Sequence, residues 1–295
     1  MITVVRRESL SMSVVERVIR FVAEDGHTYL AEEPPVGSAE AELLAGDVFD
    51  PSSLRRTGQR LAIRKLLAPV LPSAIFCIGL NYMKHYEESA KKRGIALPAQ
   101  PVIFMKPNSC LNHPGGDIWL PEIEHGEQLD WEVELTVVIG KPCRSVPRER
   151  ALEYVLGYTV GNDVSSRHWQ KNAGGGQWVK GKSFDTFAPI GPTLVLASAI
   201  PDPQALRVMT RVNGETQQDE NTADMIFSVA QCIEWLSHNT TLLPGTVIMT
   251  GTPAGVAAGR SPPNFLTVGD VVECEVSGIG ALRNTVVRPP TVSAL

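Results

Sequence analysis

Two glutamates stand one residue apart at the head of the run DWEVELTVVIGK, Asp130 to Lys141, whose later residues are apolar and largely β-branched. Alternation along a strand puts Glu132, Glu134, Thr136 and Val138 on one face and Val133, Leu135, Val137 and Ile139 on the other. Side by side, two carboxylates raise each other's pKa and cost stability unless positive charge lies between them. An edge strand with its acids in solvent is the plain structural account, and a cation held inside is the chemical one. Asp163 ends the run YTVGND, where a strand opens into a loop, and can add a third carboxylate. Glu132, Glu134 and Asp163 together would suit Mg2+ or Mn2+, hard ions that prefer oxygen and keep positions open for water or substrate. Read by itself, an aspartate in Asp163's place is more often a turn or cap residue.

A second constellation lies in GLNYMKHYEESAKKRG, Gly79 to Gly94, a polar stretch of helical character behind the apolar strand AIFCIG. His85 and Glu88 are three residues apart, so one helical turn brings them to the same face and lets the carboxylate orient the imidazole. Such a pair is a candidate general base or an ordinary surface pair. Lys182, in VKGKSFDTFAPIGP, has aromatic and apolar neighbours able to desolvate it. Thr250, Gly251 and Thr252 close the run TVIMTGT, and their hydroxyl and N–H groups can hold a carboxylate. Other chemistry is not written here: there is no G-x-S-x-G, P-loop or H-E-x-x-H motif, and the glycines of AGGGQWVKGK lack nucleotide-binding spacing.

The elements that must carry these residues are mostly strands. VIFMK, WEVELTVVI, GYTVGND, TLVLA, TVIMTGT and VVECEVSG are short, rich in β-branched residues and bounded by turn residues. Asp25 and Gly26 between two strand-like runs predict a hairpin near the start. The polar, turn-rich DPSSLRRTGQR from Asp50 reads as a connector, and the texture changes near Leu71. Two helices are expected. One follows a Thr222 cap, with Ile226, Val229, Ala230, Ile233 and Leu236 at helical spacing. The other runs from Pro147 to Gly157.

With 295 residues, 43% of them apolar, the chain can bury one substantial core and a smaller unit. A net charge of -5 without any Lys/Arg block argues against nucleic acid and anionic membrane as partners. No apolar run reaches transmembrane length, and the opening MITVVRRESLSMSVVERVIRF has too short an apolar core for a secretory signal. Arg6 and Arg7 fit a mitochondrial presequence, whereas Glu8 and Glu16 argue against one, so an intracellular location, cytoplasmic or mitochondrial, is expected. Five scattered cysteines, none in C-x-x-C, predict free thiols rather than disulfides or a zinc site.

The motifs G-x-N-Y-x-x-H-x-x-E, D-W-E-V-E-L-x-V-V-I-G-K, N-D-V-S-x-R-x-W-Q, G-K-S-F-D-T-F-x-P-x-G-P and T-G-T-P-x-G-V occur in that order. By them the chain resembles the fumarylacetoacetate hydrolase family over roughly residues 71 to 287, and looks closest to the branch called fumarylacetoacetate hydrolase domain-containing protein two. The resemblance implies a β-rich α+β fold, a mixed β-sandwich roll with a small N-terminal β domain. It divides the chain into a leading domain and connector, 1–70, and a catalytic domain, 71–295. It implies a homodimer and Mg2+ or Mn2+ on Glu132, Glu134 and Asp163. His85 and Glu88 become an acid/base dyad on a lid-like segment, Lys182 a stabiliser of enolate or oxyanion charge, and Gln170 and Thr252 substrate contacts. Leu80 stands where acylpyruvate-cleaving relatives often have Arg, and His168 where relatives commonly have Asp. The activity implied is that of a metal-dependent enzyme on enolisable 2-oxo acids, foremost an oxaloacetate keto-enol tautomerase. Carbon–carbon hydrolysis of acylpyruvates or 1,3-dicarbonyl acids, oxaloacetate decarboxylation, and a metal-bound scaffold without turnover are the alternatives, because a fold does not choose its reaction.

Overall fold

The computed structural model describes residues 14–121 and 128–290. The part of the opening run on which the targeting expectation rests, residues 1–13, lies outside them.

The acid-bearing run is the middle of the molecule. Val133–Ile139 is buried along its whole length, as an apolar stretch without alternation requires of a strand covered on both faces. It pairs antiparallel with Val155–Asn162 on one side and with Thr246–Met249 on the other. Thr246–Met249 runs parallel to Ala74–Gly79, which pairs with Val102–Lys106 at the edge. In the opposite direction Val155–Asn162 pairs with Ala188–Leu196, and that strand joins Arg17–Ala23. A second, five-stranded sheet, Arg207–Val212, Glu215–Asn221, Val271–Val276, Gly280–Val287 and Asp117–Trp119, packs on the middle of the first. The result is a strand-rich sandwich with few helices, the β-rich α+β class expected.

The leading strands form a small β unit on this sheet. Asp25 and Gly26 turn Arg17–Ala23 into Thr28–Glu32 as the D-G pair predicts, and a cluster around Ile19, Phe21, Ala31 and Leu43 gives the unit its own apolar centre. The polar run after Asp50 is not a connector. A 3-10 turn at Pro51–Ser53 leads into the strand Arg55–Leu67, which pairs with Glu40–Ala45 and Arg17–Ala23. Its first half is exposed, so it needs no apolar face, and polar residues there hide a strand from any reading of pattern.

Both helix boundaries also differ from expectation. Thr222–Asp224 forms only a 3-10 turn, and the helix begins at Val229 behind Ser228, whose side chain accepts the Gln231 N–H while Gln231 returns a bond to the Ser228 N–H. That reciprocal capping box is a stronger start signal than Thr222. After Pro147, Arg148–Tyr154 is a 3-10 helix that ends earlier than Gly157, because Val155 already enters a central strand. Cys77, Cys110, Cys143, Cys232 and Cys274 are free and buried. Among the described residues no helix is long and apolar enough to cross a membrane.

Candidate metal and acid-base site

Antiparallel pairing of the two central strands sets Val133 opposite Asn162, so the start of one and the end of the other reach the same edge of the sandwich. Asp163 donates its N–H to the Glu132 carbonyl at 2.9 Å, and Asn162 Oδ1 accepts the Glu132 N–H at 3.0 Å. Glu134 lies two residues further in, on the same face. Oxygens of Glu132, Glu134 and Asp163 come within 4.8 Å of one another, and all three residues are buried.

These acids sit among buried cations. Lys182 Nζ donates to Glu132 Oε2 at 2.7 Å and Asp163 Oδ2 at 2.6 Å. Arg167 donates from Nη2 to Glu132 at 2.6 Å, from Nε to Asp130 at 2.8 Å and from Nη1 to Gln170 at 2.9 Å. Lys106, 1% exposed, donates to the carbonyls of Val164, Lys182 and Phe187 at 2.7 to 3.1 Å, with Asp163 Oδ1 2.6 Å away. Burial alone would raise the Glu132 pKa, but Lys182 and Arg167 outweigh it and hold the group well below the carboxylate range. Burial likewise lowers Lys182, yet Asp163 and Glu132 bring it above its ordinary value.

Glu134 is the exception. Burial, then the charges of Asp163 and Glu132, push its pKa well above the ordinary value. Its one strong bond to backbone comes from the Gly251 N–H, 2.7 Å from Oε2. Gly251 has φ +99°, and a Cβ there would lie 2.7 Å from Asn81 Cβ, so this donor position requires glycine. The carboxylate held by the TGT turn is therefore the protein's own. Four buried carboxylates (Asp130, Glu132, Glu134, Asp163) face three buried cations (Lys106, Arg167, Lys182). Asp163 Oδ1 is ion-paired with the Lys106 ammonium at 2.6 Å, and Oδ2 with Lys182. An all-oxygen donor set with one carboxylate more than its buried cations fits a hard divalent cation.

His85 lies in the helix Met83–Glu88, and its Nδ1 is 2.8 Å from Glu88 Oε1, the i,i+3 contact its spacing predicts. Glu88 also accepts the Gly255 N–H at 3.0 Å from Oε2, which pins this segment onto the loop after the TGT turn and leaves His85 only 8% exposed. Asn81 fixes the segment's start, donating to the carbonyls of Thr250 and Phe227 and accepting the Phe227 N–H. Leu80, between strand and helix, has φ +54°, an uncommon backbone for a bulky residue, and lines the cavity below.

A single cavity is lined by His85, Glu132, Glu134, Gln170, Lys182 and Thr252, so six of the eight residues singled out in the sequence face it. Glu88 and Asp163 stand behind the lining, bonded to His85 and Lys182. Gln170 uses Oε1 to accept from Arg167, and Thr252 Oγ1 accepts from Gln218 Nε2 at 2.8 Å. Gln218 comes from the second sheet and also accepts the Val133 N–H. Sequence reading assigned no part to Asp130, Arg167, Lys106 or Gln218. Arg167 and Asp130 stand inside the quoted motifs, which was the available signal; Lys106 and Gln218 carry none. His168 packs edge-on against Trp169, ring centroids 6.3 Å apart.

Residues 74–287 match the family model described as fumarylacetoacetate (FAA) hydrolase C-terminal. Oxaloacetate tautomerase fahd2, mitochondrial, of Xenopus laevis is 46% identical over 75% of this chain and 68% of its own. Oxaloacetate tautomerase FAHD2A, mitochondrial, of Homo sapiens is 44% identical over 75% of this chain and 69% of its own. The crystal structure of 2-hydroxyhepta-2,4-diene-1,7-dioate isomerase from Mycobacterium marinum superposes with a TM-score of 0.78 at 38% identity, covering 94% of this chain and all of that one.

Proposed function

The chain belongs to the fumarylacetoacetate hydrolase family, and from that premise we propose that it is a Mg2+- or Mn2+-dependent enzyme that interconverts the enol and keto forms of oxaloacetate. The observation that carries the reading is the meeting of a buried carboxylate triad and an imidazole–carboxylate pair at one cavity. Relatives named as oxaloacetate tautomerases support the choice of substrate.

In this reading Glu132, Glu134 and Asp163 hold the metal. When bound, the ion supplies Lewis acidity toward a 2-oxo group and positive charge beside Glu134, the triad member without a cationic partner among the described residues. His85, with Nδ1–H donating to Glu88, keeps Nε2 as a base that takes a proton from the carbon beside the ketone and, as the imidazolium, delivers it to the former carbonyl oxygen to give the enol; ketonisation runs the same transfer in reverse. Lys182 Nζ offsets negative charge that gathers on the substrate oxygen. Gln170, its Oε1 engaged by Arg167, offers its amide N–H groups, and Thr252, aligned by Gln218, offers its hydroxyl to the substrate carboxylate. Docking of its own segment buries His85 and excludes water from the proton transfer.

Loss of enol absorbance by metal-stripped protein, before and after Mg2+ or Mn2+ is added, tests the proposal, with pyruvate assayed in parallel. Metal-restored ketonisation without pyruvate is the expected outcome. Metal binding with no acceleration would defeat it and turn attention to acylpyruvates, and pyruvate as the main product would indicate decarboxylation. On the family likeness we also take the working form to be an intracellular homodimer, which a monomer mass by light scattering would contradict.

A further inference from the structure

Four cationic side chains line the cavity: Arg93, Arg167, Lys171 and Lys182. Two are already committed. Arg167 uses its guanidinium on Asp130, Glu132 and Gln170, and Lys182 lies between Glu132 and Asp163. The side chains of Arg93 and Lys171 have no hydrogen bond or ion pair among the described residues. They arrive from separate elements, Arg93 at the end of the 3-10 turn Lys91–Arg93 and Lys171 at the end of the helix Arg167–Lys171. Partial burial, then the charges of Arg167 and Arg93, hold the Lys171 ammonium below its ordinary pKa. Asp130 and Glu132 attract the Lys171 ammonium only in part, and no carboxylate among the described residues is bonded to either side chain, so the two cations repel each other and an anion between them would offset that cost.

The inner end of the cavity already has its anions and its carbonyl-directed groups. What remains unmatched is positive charge beside the docked segment, with Phe104 and Trp178 forming an apolar wall of the same cavity. A neutral substrate tail would leave both cations unpaired there; a carboxylate would pair with both. We infer that Arg93 and Lys171 form a subsite for a second carboxylate, so that the site takes 2-oxo dicarboxylates in preference to 2-oxo acids with neutral tails. The inference rests on reading the site as one for 2-oxo acids, and it assigns the far end of the substrate to two residues outside the family motifs quoted above.

Malate and lactate test it, since both are 2-hydroxy acids that cannot enolise and only malate carries the second carboxylate. Calorimetric titration of the Mg2+-loaded protein is expected to give malate a dissociation constant roughly tenfold below that of lactate, as befits a charge-assisted pair. In Arg93→Gln/Lys171→Gln the ratio is expected to collapse toward one, and in Arg93→Lys/Lys171→Arg to persist. Both side chains are exposed, so the substitutions leave the core untouched. A wild type that binds malate no more tightly than lactate, or a ratio unchanged in the glutamine variant, overturns the subsite. Oxaloacetate turnover by the wild type is measured separately: malate preference without turnover defeats the tautomerase and keeps the subsite, whereas turnover with no preference does the reverse.

Discussion

Glu132 and Glu134 differ by two positions and by their partners. Glu132 is ringed by Lys182 and Arg167, while Glu134 has a backbone N–H and two neighbouring acids. The proposed roles therefore separate by substitution. Asp163→Ala and Glu132→Ala should lose metal affinity and activity together, read by calorimetry and enol absorbance. His85→Ala should keep the metal and lose about 100-fold or more in rate, the usual contribution of a positioned base. Full rate in that variant would remove His85 from the mechanism. Lys106→Met is expected to cost about 3 kcal/mol in denaturant unfolding, because Asp163 and three carbonyls lose a buried ammonium; a loss under 1 kcal/mol would mean that the lysine is dispensable. Single residues were legible to the extent that chemistry is local. The His85–Glu88 contact follows from helical spacing, but the network around Lys106 joins residues up to 81 apart and has no local signature.

Elements were legible where apolar pattern or turn chemistry marks them. The buried strand Val133–Ile139 and the hairpin at Asp25–Gly26 follow from both. The strand Arg55–Leu67 has neither, because its partners supply its hydrogen bonds and solvent takes its side chains. Ser228→Ala should cost about 1 kcal/mol in chemical denaturation by opening the capping box; no loss would mean that the box adds nothing to stability. A pH dependence belongs to His113, whose Nδ1 accepts the Ala68 N–H at 3.1 Å. Burial, then Lys65 and Arg20, lower its pKa below the ordinary 6.5. A histidine depressed on folding contributes stability above its unfolded pKa and loses it as pH falls toward the folded value. Tm should thus fall between pH 7 and 5 more steeply in the wild type than in His113→Asn, and equal slopes would exclude the effect.

At the scale of the molecule, one sheet carries both the leading strands and the site, joined where Arg17–Ala23 pairs with Ala188–Leu196. We propose a division near residue 70 on the strength of the separate apolar cluster around Phe21, with the sheet continuous across it. A metal held by the triad, as proposed, would stabilise the whole fold. Removing it with a chelator should lower Tm reversibly, by the equivalent of about 2.7 kcal/mol when the ion had been present at 100 times its dissociation constant. An unchanged Tm would argue that Glu134 is simply protonated in the working protein. By itself the sequence determined which carboxylates share a strand face, which histidine has a carboxylate one turn away, and that the thiols stay free, because each follows from spacing of a few residues. Only the tertiary structure decided that Lys182 and Arg167 pair with those acids, that the TGT turn grips Glu134, and that the side chains of Arg93 and Lys171 are left without partners among the described residues. Those facts depend on strand ends and loops far apart in the chain meeting at one edge of the sandwich, and charge balance there is a sum over neighbours that no local window contains.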